Sequence, residues 1–308
     1  MLFLNTTVYG LELGLCYALV ALGMYIAYSI LDFPDLSTDG TFPLGGVVGT
    51  VLIYRASFPP ILALFGGFFS GMIMGAVTGL LHVKLGISKL LSGIIVMTSL
   101  LSGTLALTTL LTQNGFSTTN FSYTAYGFDG IFNKGYDIMS DLGIIILLLV
   151  IVIVAKLTLD LFFKTKLGFM LIATGSNEGF VTSLGCDVGR YKIFGLSLAN
   201  GLVGFGGALY AQLTMNYDNT SGTGKVVLAL ASVIIGLALF SRAKRVKPTT
   251  AVIIGAIIYS LCLNYFTLLD TNGTYLKLMN AVCFTLILVL NARAEKRSKK
   301  KREGGAAL

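Results

Sequence analysis

Apolar residues run through this chain in long stretches, without the alternation of a half-buried strand or the narrow stripe of a soluble helix. Nine stretches can be drawn, at about 8–30, 44–56, 60–82, 90–112, 142–163, 193–214, 226–241, 248–268 and 276–291. A helix crosses a hydrocarbon core with about 20 apolar residues, and lipid forces every backbone polar group to be satisfied within the segment. The pattern therefore predicts an all-α, polytopic integral membrane protein. A single transmembrane domain covers 1–291, and 292–308 forms a basic tail.

The stretches 44–56 and 226–241 are short. Each follows a full-length stretch and a polar interruption: Leu31-Asp-Phe-Pro-Asp-Leu-Ser-Thr-Asp-Gly40 in the first case, Asn216-Tyr-Asp-Asn-Thr-Ser-Gly-Thr-Gly224 in the second. The preceding helices share a texture, LGLCYALVALGMYIA (13–27) against GLSLANGLVGFGGALYA (195–211). This pattern predicts an inverted repeat, about 8–112 against about 193–291, with 142–163 as connector. Transporters of that design place their solute path where broken helices meet between the repeats. Gly67, Gly71, Gly75 and Gly79 recur every four residues, a spacing that lets a neighbouring helix backbone pack closely.

Nine spans put the termini on opposite sides. One set of connections with the tail holds seventeen Lys and Arg, among them Lys84, Lys89, Lys164, Lys166, Arg190, Lys192 and Lys247; the alternate set holds Arg55, Lys134, Lys225 and Lys277. The positive-inside rule places the tail in the cytoplasm and the N-terminus outside. No Lys or Arg precedes the first apolar stretch and Glu12 interrupts it, so no cleavable signal peptide is expected.

Composition agrees with the pattern. Of 308 residues 55% are hydrophobic and 12% charged, more apolar surface than a soluble domain of this size can enclose. The net charge of +8 lies beside apolar stretches and in the tail, which points to anionic lipid headgroups and not to nucleic acid. Cys16, Cys186, Cys262 and Cys283 have no metal-type spacing, and the three in apolar stretches read as small buried hydrophobes. With His82 the one histidine, neither a two-histidine zinc site nor a Ser-His-Asp set is expected. Gly222-Thr-Gly-Lys225 lacks the spacing of a phosphate loop, so an ATPase would have to be a separate polypeptide. Neither cofactor nor metal is expected.

Asp32, Asp35 and Asp39, with Ser37 and Thr38 between them, are the leading candidates for a solute path. A charge at membrane depth is costly and should face a watery cavity or a partner, and a cavity lined by carboxylates favours a cationic or zwitterionic amine. The same residues could instead cap and turn the chain around Pro34. Asn200, Gln212, Asn216 and Asp218 are the counterparts in the second half. Elsewhere, the loop 164–192 carries helix punctuation: Ser176 or Asn177 as cap, Glu178 in the first turn, Gly185 as stop, with Phe180, Val181 and Leu184 on one face. A helix this short must lean on something: its own protein, lipid or a docking partner.

Several of these segments resemble a known family. Leu167-Gly168, Ala173-Thr-Gly-Ser-Asn177, Leu184-Gly185, Gly195-Leu-Ser-Leu-Ala-Asn-Gly-Leu-Val203 and Gly206-Gly-Ala-Leu209 are similar to the permeases of branched-chain amino acid and ribose ABC importers. Leu13-Gly-Leu15, Tyr17-Ala-Leu19, Ala21-Leu-Gly23, Ile30 through Gly40 and Leu276-Lys-Leu278 resemble the subgroup assigned to aromatic amino acids. The resemblance implies two cytoplasmic ATPase subunits, a substrate-binding lipoprotein outside, and a second permease copy or paralogue in a bacterial plasma membrane. It also implies that Thr174, Gly175, Ser176, Asn177, Glu178, Phe180, Val181, Leu184 and Gly185 form the coupling helix. The chain departs from the subgroup at Leu237, where a carboxylate is usual, and at Gly179-Phe-Val-Thr182, where Arg and Ala are usual. An ion-coupled secondary transporter without an ATPase, and a membrane-embedded enzyme using the three aspartates, remain open on the residues.

Overall fold

A computed structural model describes residues 2–111, 119–123, 131, 138–241 and 246–267, with positions 281, 282, 285 and 289. The expected span 276–291, apart from those four positions, and the tail 292–308 lie outside the described residues. Among the described residues the helices are α1 (Leu2–Met24), α2 (Thr38–Ala56), α3 (Pro60–Val83), α4 (Lys89–Thr108), α5 (Ile138–Phe162), α6 (Lys166–Ser176), α7 (Glu178–Ser183), α8 (Val188–Leu213), α9 (Lys225–Leu239) and α10 (Pro248–Thr267). Among the described residues seven segments are long and apolar enough to cross a membrane: α1 with its extension, α3, α4, α5, α8, α9 with the turn before it, and α10.

α1 is the central element. Its most apolar window is 83% buried, against 22% for α5, which stands at the periphery with aliphatic side chains outward. The glycine stripe on α3 packs against α8. A Cβ at Gly67 would stand 2.8 Å from the Gly204 carbonyl and one at Gly79 2.8 Å from Ile193 Cα, while at Gly71 and Gly75 it would overlap the carbonyls of Asn200 and Leu196. Close backbone approach of this kind supplies the dispersion contacts that hold helices together in lipid. The second half closes on α1 and α9 through α10: Ser260 Oγ donates to Gly10 O at 3.0 Å, and a Cβ at Gly255 would overlap Ser232 O.

Both polar interruptions are present. α1 widens into a π turn over Tyr25–Ile30, with Leu31 N donating to Ile26 O at 3.0 Å, and Asp32 takes a left-handed φ of 50°. Single π turns inside long helices concentrate at functional sites. After the break α2 begins at Thr38 and not at 44. The polar run Thr38-Asp-Gly-Thr41 reads as a turn, but it forms the first turn of α2, anchored by Ser37 N donating to Asp35 Oδ1 at 2.8 Å and Thr41 Oγ1 to Ser37 O at 3.0 Å. The second interruption holds β2 (Asn216–Asp218) and the 3₁₀ turn Asn219–Gly222. β2 pairs antiparallel with β1 (Asn120–Ser122), with Phe121 opposite Tyr217.

The segments carrying Lys84, Lys89, Lys164, Lys166, Arg190 and Lys192 gather at one end of the bundle. There Phe33 meets His82 edge-on at 5.3 Å, Gly189 packs on Val83, and Lys89 Nζ donates to Asp32 O at 2.8 Å. His82 is held by Ile87 O at 2.8 Å. Lys156 and Lys247 both pair with Asp160, at 3.2 and 2.9 Å, and tie α5 to the start of α10. Cys16 is buried as expected; Cys262 is not, since it lies exposed on α10.

Candidate functional site

The first break is closed by a hydrogen-bonded lock centred on Asn200 of α8. Asn200 stands twelve residues from Val188 and thirteen from Leu213, about 18 Å from either end at 1.5 Å per residue. Its Nδ2 donates to Asp35 Oδ2 at 2.7 Å and Leu196 O at 3.2 Å, while its Oδ1 accepts from Thr41 Oγ1 at 2.8 Å and Ser37 Oγ at 3.2 Å. Asp35 Oδ1 accepts from Ser37 N, and Thr38 Oγ1 donates to Asp35 O at 3.1 Å. All five side chains are buried. Both amide hydrogens and the carbonyl of Asn200 are engaged, so the network is complete. Gly93 of α4 leaves room for it, since a Cβ there would stand 2.9 Å from Leu36 N.

The second break is joined to the first half by Asp39. Its Oδ1 accepts from Val226 N at 2.7 Å and its Oδ2 from Gly224 N at 3.2 Å, so a carboxylate of α2 caps α9. That suits the positive end of the α9 dipole. Pro43 supplies no N–H to the Asp39 carbonyl, and Gly222 packs directly against that carbonyl and the Pro43 ring. The N-termini of the two interrupted helices thus meet. Beside them Lys225 Nζ donates to Tyr17 Oη at 2.7 Å and lies 4.2 Å from the centroid of Tyr17, 5.0 Å from that of Tyr210 and 5.4 Å from that of Phe42. Tyr17 and Tyr210 stack at 5.9 Å, and Phe42 tilts onto Tyr210 at 5.4 Å.

The remaining candidates are scattered. Asp32 is exposed beside Lys89, 3.6 Å away. Buried Gln212 donates to Pro60 O at 3.0 Å and accepts from Ile131 N at 3.3 Å. Asn216 is exposed in β2, and Asp218 caps the 3₁₀ turn through Thr220 N. Near this strand pair Tyr123 and Thr50 share a hydrogen bond of 2.8 Å. Burial pushes the phenols of Tyr123 and Tyr217 above the usual tyrosine range, so both keep their protons.

The segment 174–185 holds the short helix expected there. Asn177 is the cap, its Oδ1 accepting from Phe180 N at 3.1 Å, whereas Ser176 Oγ donates back to Ala173 O. Val181 is buried, Phe180 and Leu184 are 48% and 54% exposed, and Gly185 ends the element at a φ of +73°. Glu178 pairs with Lys192 at 2.6 Å. Thr174 is buried in α6, and Gly175 sits directly on the carbonyl of Ile30, where the π turn ends.

Comparison with known proteins decides the family. The sequence model described as "Branched-chain amino acid transport system / permease component" matches residues 6–290. The chain belongs to this family. It is 36% identical over 275 residues to a tyrosine transport system permease protein of Clostridioides difficile (strain R20291), covering 89% of this chain and 88% of that one. It is 25% identical over 279 residues to the ribose import permease protein of Escherichia coli (strain K12), covering 90% and 83%. It is also 25% identical over 237 residues to a probable branched-chain amino acid transport permease protein of Methanocaldococcus jannaschii, covering 71% and 70%. No solved structure matches.

In this permease the expected residues fall into separate groups. Asp35, Ser37, Thr38 and Asn200 form one lock, Asp39 joins the halves, and Asp32, Gln212 and Asn216 stand apart. The cluster of Tyr17, Phe42, Tyr210 and Lys225 escaped sequence reading, because Lys225 counted as one of the few cations of a sparsely charged connection. A cation at the first residue of a short apolar helix is the signal that could have found it. A groove of about 520 Å³ between α1, α3, α5 and α8 contains none of these residues. Its lining includes Leu64, Phe68, Val154, Phe162, Leu202 and Phe205, and the Thr158 hydroxyl on its wall already donates to Ala155 O. It presents hydrocarbon and offers a polar solute nothing to bond.

Proposed function

We propose that this permease is the membrane-spanning subunit of an ATP-driven importer of an amino acid, working by alternating access. The observation that carries the reading is α7 with its mounting. A six-residue helix does not hold itself in water, yet this one is capped, ion-paired and seated on Val181 while presenting Phe180 and Leu184 outward. Through α6 it bears on Ile30, the end of the π turn that opens the first break. Force applied to α7 therefore has a short packed route to the joint between α1 and α2.

The full architecture in this reading has nine spans. α2 and α9 are the two interrupted spans of an inverted repeat, and 276–291 supplies the ninth. The end carrying α7 and the clustered Lys and Arg faces the cytoplasm, and the N-terminus lies outside a bacterial plasma membrane. Two ATPase subunits would dock at α7 of a permease pair, and a substrate-binding lipoprotein would deliver solute to the opposite face. The solute would pass where α2 and α9 meet, beside Asp39, with Gln212 and Asn216 toward the outer mouth; Asp35, Ser37, Thr38 and Asn200 would form the joint that changes shape. The amino acid reading is favoured by the 36% identity to a tyrosine permease.

Affinity capture of the chain from gently solubilised native membranes tests this. Co-purification of a protein with a Walker-type ATPase domain, lost on Phe180→Asp, is the expected result. Recovery without any ATPase, together with uptake driven by an ion gradient alone, would move the chain to an ion-coupled transporter.

A further inference from the structure

The geometry points to Lys225 as the group that receives the carboxylate of the transported solute, with Tyr17, Phe42 and Tyr210 as the walls against its side chain. This rests on the importer reading above and deepens it, since it assigns the solute a chemical class.

Lys225 differs from the cations that the structure pairs. Lys89, Lys156, Arg190, Lys192 and Lys247 each lie within reach of a carboxylate, and Lys225 makes no ion pair with a described residue. The neighbouring carboxylate, Asp39, directs both oxygens to the backbone amides of Gly224 and Val226. An ammonium has three donors. One of them reaches Tyr17 Oη, and the others lie among ring faces, which attract a cation but do not accept as a carboxylate does. Lys225 and Tyr210 are half-buried whereas Tyr17 and Phe42 are buried, so the cluster opens on the side of Lys225 and Tyr210. A free carboxylate arriving there gains a charge-assisted hydrogen bond without displacing an existing ion pair.

The placement has a functional logic. The cluster draws one side chain each from α1, α2, α8 and α9, the elements that flank both breaks. A solute bound to Lys225 and the rings would touch all four at once, where broken-helix transporters hold their cargo. The sequence suggested an acidic cavity selecting amines. In the structure Asp35 and Asp39 direct their oxygens to the protein's own donors, and the ammonium of Lys225 is the charged group that keeps donors for a ligand. An ammonium with donors to spare accepts a carboxylate and offers a bare amine no acceptor. The flat ring faces suit an apolar or aromatic side chain. A zwitterionic amino acid fits this chemistry; ribose and nucleosides have no carboxylate to offer.

The test uses the intact importer, permease with its ATPase and binding protein, in proteoliposomes supplied with ATP. Uptake of L-tyrosine, L-leucine, ribose and adenosine is measured for the native chain, Lys225→Met and Lys225→Arg, with ATP hydrolysis and the co-purified ATPase recorded in parallel. The expected result is uptake of an amino acid alone. Lys225→Met should lower it roughly tenfold or more, as expected for loss of one partner of a charged contact, while Lys225→Arg restores part and the ATPase still co-purifies. Amino acid uptake unchanged in Lys225→Met, uptake of ribose or adenosine in preference to amino acids, or uptake of none of the four would overturn the assignment. Absence of an ATPase from the native preparation would instead sink the importer reading on which it rests.

Discussion

The two interruptions of this permease look alike along the chain, each a polar run between an apolar helix and a shorter one, yet they are built differently. In the first, every polar side-chain group of Asp35, Ser37, Thr41 and Asn200 meets a protein partner, and the network is complete. In the second, the carboxylate that caps α9 comes from the other half of the molecule, and Lys225 stands beside it with donors to spare. A polar break in a membrane helix therefore does not by itself mark where a solute binds. What distinguishes a joint from a site is whether its donors and acceptors are already satisfied.

The comparison breaks most visibly at Asn200. Asn200→Leu leaves the buried Asp35 carboxylate without its side-chain donor and should lower stability by about 3 kcal/mol, read as a fall in the apparent melting temperature of the purified protein. If the first break is a joint, the surviving folded fraction still binds solute. Asp39→Asn tests the second break. It keeps an acceptor for one α9 amide but loses the charge, with an expected cost of about 1–2 kcal/mol. If the solute passes beside Asp39, as proposed, uptake should fall further than melting does. Smaller still is Asn177→Ala, which removes the α7 cap at about 1 kcal/mol of local helix stability. Overall melting should stay unchanged while the ratio of solute moved to ATP hydrolysed declines, which simultaneous uptake and phosphate-release assays would show.

Much of this was legible in the sequence. Seven of the nine expected spans, the two polar interruptions, the packing role of the α3 glycines and the short punctuated helix at 178–183 follow from local patterns of apolar runs, caps and stops. What failed were judgements that depend on distant partners. Thr38-Asp-Gly-Thr41 reads as a turn until Asp35 and Asn200 are in place to anchor it. Asp39 looks like a free carboxylate because the amides it caps lie nearly two hundred residues later. Lys225 and Tyr17 are separated by 208 residues, and neither tyrosine nor phenylalanine announces a cation cluster in a chain rich in both. Local chemistry predicts elements, but only the fold shows which polar groups are already engaged.

Hydrogen–deuterium exchange of the intact importer, with and without L-tyrosine, tests the distinction between the breaks most directly, since local opening reports on each segment separately. Slow exchange over 31–41 in both conditions, with solute-dependent slowing over 216–226, is the predicted result. Solute protection confined to 31–41, or absent from 216–226, would contradict the account.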